Sequence, residues 1–89
     1  METIFKHQVV TRQKILDALH EFDDQYPDPE TYDDWLRKGT YKYAVRYDGH
    51  VYPPKHILSM ATGIPTADFN GGEQTNRVFR QLGFDVEIK

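Results

Sequence analysis

The stretch from Tyr43 to Pro54 constrains the fold more than any other part of the chain. Tyr41, Tyr43, Val45 and Tyr47 alternate with Lys42, Ala44 and Arg46, the period of a strand with one buried side. Asp48-Gly49 follows, a pair that suits a two-residue hairpin turn. His50-Val51-Tyr52 returns as a short partner strand. Pro53-Pro54 then blocks further pairing and starts a helix, because proline lacks an N–H donor and presets a helical φ. A hairpin therefore delivers the chain directly into a helix.

Helical spacing dominates on either side. Thr11 is a suitable N-cap for a first helix, whose apolar face is Ile15, Leu16, Leu19 and Phe22. Asp23-Asp24-Gln25-Tyr26-Pro27 ends it. The two aspartates would oppose the helix dipole, so the following loop suits them better. Asp28-Pro29-Glu30 starts a second helix presenting Tyr32, Trp35 and Leu36, with a stop near Gly39. The Pro-started third helix turns Ile57, Leu58 and Ala61 inward and stops at Gly63. After Phe69-Asn70-Gly71-Gly72, a fourth helix runs over 73–82 with Val78, Phe79 and Leu82 apolar. Gly83 closes it, and Phe84, Val86 and Ile88 alternate in a last strand that must pair with the hairpin to satisfy its backbone. The expected order is α-α-β-β-α-α-β: an α+β domain over 1–89 with a three-stranded, mostly antiparallel sheet backed by helices and a flexible stretch at 1–10.

A chain of 89 residues buries only about 60–65% of its unfolded surface, so the core is small and large rings fill it efficiently. The absence of cysteine excludes disulfides and thiolate metal sites. No apolar run approaches the roughly 20 residues of a membrane span. The start, Met1-Glu2-Thr3-Ile4-Phe5-Lys6, is not that of a signal peptide, so a cytoplasmic protein is expected. The net charge of −3 conceals a division: residues 1–36 hold nine acids and three bases, whereas 37–89 hold five acids and eight bases. Segregation of this kind bears on partners rather than on fold.

Within the basic part, two helix starts are the candidate anion sites. Lys55 lies in the first turn of the third helix, where a cation opposes the dipole unless an anion docks there; its structural alternative is a solvated head on a stem packed against Tyr52. Asn70, Gly71 and Gly72 place adaptable N–H groups ahead of the fourth helix, with Asn70 as a capping oxygen. Gly-Gly serves any awkward turn equally well, and the run lacks the Lys-Ser/Thr of a nucleotide-hydrolysing loop. Thr75, Asn76, Arg77 and Arg80 lie on the fourth helix; Asn76 with Arg80, and Arg77 with Arg80, share a face by spacing. That face could contact phosphate or base edges, or be a solvated surface. Lys42 and Arg46 complete the basic set. His50 and His56 lack partners at metal-ligand spacing, and the eight carboxylates from Asp17 to Asp34 form neither a calcium loop nor a catalytic pair. The expectation is no cofactor, no metal and no enzymatic activity.

These residues, taken together, resemble the N-terminal head domain of bacterial modification-dependent restriction endonucleases of the HNH type. The resemblance rests on Ile15, Leu19 and Phe22, on Trp35-Leu36, on Tyr43, Asp48-Gly49, Tyr52, Lys55, Ile57, Ala61 and Gly63, and on Phe69, Gly71-Gly72, Leu82-Gly83-Phe84 and Val86. It covers nearly the whole chain, with Asn70 where that pattern has Ser. It implies a DNA-associated accessory module and carries over no nuclease. The alternative is a protein-interaction module using the acidic first half and Tyr26, Tyr32 and Trp35.

Overall fold

The computed structural model describes residues 1–26 and 43–88. The expected second helix, with Tyr32, Trp35 and Leu36, lies outside these residues, as do Tyr41 and Lys42. Strands β1 (Glu2–Phe5) and β2 (Gln8–Thr11) come first. They are followed by α1 (Arg12–Gln25), β3 (Tyr43–Tyr47), β4 (His50–Tyr52), α2 (Pro54–Thr62), a 3-10 turn (Thr66–Asp68), α3 (Glu73–Gln81) and β5 (Asp85–Ile88). Two antiparallel sheets result, β1-β2 and β4-β3-β5.

The α+β class and the three-stranded sheet agree with the sequence expectation; the element order does not. A hairpin occupies the first eleven residues, where no element is expected. Its turn residues Lys6 (φ 48°) and His7 (φ 68°) are both left-handed. This is the backbone that Asn-Gly or Asp-Gly normally supplies, and Lys-His carries no such signature. The second hairpin turn has the same form at Asp48 (φ 51°) and Gly49 (φ 79°), as its sequence predicts.

Thr11 caps α1, its Oγ1 accepting the Lys14 N–H at 3.1 Å. Ile15, Ala18, Leu19 and Phe22 form the buried face. The helix runs on through Asp23 and Asp24, so these are not loop residues. Asp23 is held there by the Tyr52 hydroxyl, which donates to its carboxylate at 2.9 Å. Below this face α1 packs on α2 and α2 on α3, while α3 also touches β1 and β5. Ile57, Leu58, Val78, Phe79 and Leu82 complete the core with Phe5, Val10 and Val45. Two expected orientations are corrected, Ala44 as an outward residue and Ile88 as an inward one. Ala44 is fully buried beside Val45, so β3 is covered on both faces at this point. Ile88 is 78% exposed, so the alternation of β5 ends in solvent.

The Leu82-Gly83-Phe84 motif is a helix stop. The Phe84 N–H donates to Phe79 O at 2.9 Å and the Gly83 N–H to Arg80 O at 3.1 Å, a Schellman pair around Gly83 at φ 82°. The Phe79 and Phe84 rings meet edge-on at 6.2 Å, the apolar contact that accompanies this cap.

Candidate nucleic-acid interface

The loop ahead of α3 is fixed from beneath. Phe69 is buried and meets the Phe5 ring edge-on at 5.2 Å. Thr75, fully buried, donates its hydroxyl to the Asn70 carbonyl at 2.8 Å. Thr75 is therefore a loop anchor and not a contact residue. Gly72 is the N-cap of α3, at φ 75° and ψ −143°, a region essentially confined to glycine. No side chain caps this helix, so the expected capping oxygen of Asn70 is corrected: its backbone is used and its side chain is not. Asn70 and Gly71 are exposed.

Lys55 reaches the same place from α2. A Cβ at Gly71 would lie 3.9 Å from Lys55 Cδ, so the lysine stem runs beside the Gly71 backbone. Its ammonium lies 5.7 Å from the centre of the Phe69 ring. The stem thus runs beside Gly71, with its head near Phe69. Pro53 caps α2 without a side-chain hydrogen bond. A lysine of the first turn of α2 thereby reaches the start of α3, and neither helix start has a side-chain cap.

The outer face of α3 is Glu73, Arg77 and Arg80, residues that are exposed and spaced four and three apart. Arg80 Nη1 donates to Glu73 Oε1 at 2.8 Å, which leaves Arg77 as the cation of this face without a described acidic partner. Asn76 is corrected. It is fully buried, and neither its Oδ1 nor its Nδ2 has a hydrogen-bond partner among the described residues. It cannot share a base-reading face with the exposed Arg80. On the helix Asn76 lies between Phe79, about 60° away, and Arg80, about 40° away, so its spacing puts it on the border of the two faces and does not reveal its burial.

Arg46, on β3, is committed elsewhere. Its Nη2 and Nε donate to the Glu87 carboxylate of β5 at 2.7 and 3.1 Å. The hydrogen bonds from Arg46 and the arginine charge hold Glu87 below the usual carboxylate range, and the same bonds raise Arg46. Of the expected set, the structure brings the Lys55 stem beside Gly71, and leaves Arg77 exposed to solvent. It pairs Arg46 and Arg80 with acids and buries Thr75 and Asn76; Lys42 lies outside the described residues. Tyr26, one of the aromatics of the alternative reading, is half-buried against Phe22 and His56.

Arg12, to which sequence reasoning gives no role, organises the far end of α3. Its Nη1 donates to Leu82 O at 2.8 Å, and its guanidinium lies 4.4 Å above the Phe84 ring. It thus neutralises the negative end of the helix that Gly72 begins.

No curated protein and no solved structure matches the chain significantly. A family model described as ScoMcrA-like, N-terminal head domain matches residues 8–88. The match spans α1, α2, α3 and the described three-stranded sheet, with the glycine-led start of α3 and its Schellman stop inside it. The chain therefore belongs to the ScoMcrA-like N-terminal head-domain family.

Proposed function

We propose that this protein is a DNA-associated accessory module of a restriction system, without catalytic activity of its own. Membership of a restriction-related head-domain family is the observation that carries this reading. The placement of the Lys55 stem beside Gly71 supports a contact point for DNA backbone phosphate, because it brings a cationic side chain to the glycine-led start of α3. Arg77 extends the contact along α3, while Arg80 contributes once a phosphate displaces Glu73. Contacts of this kind position a module on a duplex and carry no sequence information of their own.

The experiment is fluorescence anisotropy of a short labelled duplex with the wild-type protein and with Lys55→Glu/Arg77→Glu. Reversing two phosphate contacts is expected to weaken binding at least about tenfold at low salt. Equal affinity for the two proteins would remove this face from the account.

A further inference from the structure

The N-terminal hairpin has an apolar outer face beside a strand edge that is unpaired among the described residues. Ile4 is 56% exposed and its cross-strand neighbour Val9 45%, so the outer face of the hairpin carries an aliphatic pair. The two-residue turn closes on the pair Phe5 and Gln8, which makes Thr3–Val10 the next hydrogen-bonded pair. The bond from Arg12 N–H to Met1 O at 3.1 Å continues the alternation. The N–H and C=O of Ile4 and Glu2 therefore point away from β2, along an edge that no described strand covers. The opposite edge is blocked, because Lys14 Nζ donates to Val9 O at 3.1 Å.

We infer that β1 pairs with β1 of a second copy of this chain, antiparallel and centred on Ile4. A two-fold axis normal to the sheet then sets Ile4 opposite Ile4 and brings Glu2 beside Lys6 of the partner subunit, in the turn that ends β1, twice over. Both charged residues are exposed, so the edge is complementary to itself in charge as well as in hydrogen bonding. Ile4 and Val9 of the two copies merge into one apolar cluster on a continuous four-stranded sheet. The other edges do not offer this. Under the same operation β5 sets Asp85 against Glu87, or Glu87 against its own copy. β4 is only three residues long and runs into Pro53. The occupant of the β1 edge is therefore a second copy, held by a small interface, with a dissociation constant of roughly 10–100 µM.

Sedimentation equilibrium of the full chain tests this. The wild type is expected to dimerise in that range. Glu2→Lys and Lys6→Glu, each alone, are expected to weaken self-association at least about tenfold by opposing like charges. An equimolar mixture of the two variants restores opposite pairs and is expected to form a heterodimer about as stable as the wild type. A wild type that stays monomeric at roughly ten times the upper concentration would overturn the inference. So would a wild-type dimer that neither variant weakens, or a mixture that associates no better than its components.

Discussion

Asn76 sits at a position where a core residue belongs, on the inward face of α3 with Val78 and Phe79. Burying an amide without partners costs about 1–3 kcal/mol, and an apolar side chain of similar size avoids that cost. Asn76→Leu is expected to raise stability by about 1–2 kcal/mol, read as a shifted urea midpoint, and to leave duplex affinity unchanged. A lower midpoint would mean that the amide is satisfied in the folded protein. Glu87 behaves differently because it is only half-buried and titratable. Its pKa is lowered in the folded state by Arg46, so its contribution is complete above the ordinary carboxylate pKa and is lost as pH falls through the lower folded value. The stability gap between the wild type and Glu87→Gln is expected to close across that acidic window. A gap that persists at the acid end would assign it to packing of the long side chain.

At the scale of elements, legibility followed turn chemistry. Asp48-Gly49 identified its hairpin because both positions need a left-handed backbone and both residues accept one. Lys6-His7 makes the same turn with residues that disfavour it, so β1 and β2 were invisible although Ile4 and Phe5 are ordinary strand formers. Replacing the second turn residue, His7→Gly, is expected to stabilise the protein by about 1 kcal/mol by relieving a strained φ. Thermal unfolding checks this, and a lower melting temperature would show that the His7 side chain supplies more than the backbone strain removes. Helix stops were legible for the same reason: Gly63 and Gly83 both adopt positive φ where the apolar spacing ends. Side-chain commitments were not. Nothing in the spacing of Arg46 or Arg80 announces that Glu87 and Glu73 hold them, because the first pair is made across strands distant in sequence and the second spans two helical turns.

For the whole molecule, the division of charge in the sequence overstated the basic face. Acids inside the basic half, Glu73 and Glu87, neutralise two of its arginines. What remains among the described residues of that half is a short contact built from Lys55, Arg77 and the glycine-led start of α3 at Gly71. Such a surface suits positioning on a duplex within a larger restriction assembly more than tight independent binding. The decisive measurement is duplex affinity as a function of salt between about 50 and 200 mM. The account predicts a log–log slope of about −2 to −3, since each cation neutralising a phosphate contributes about −0.9, with unmodified and cytosine-methylated duplexes bound alike. A slope near zero, or no binding at the lowest salt, would contradict it.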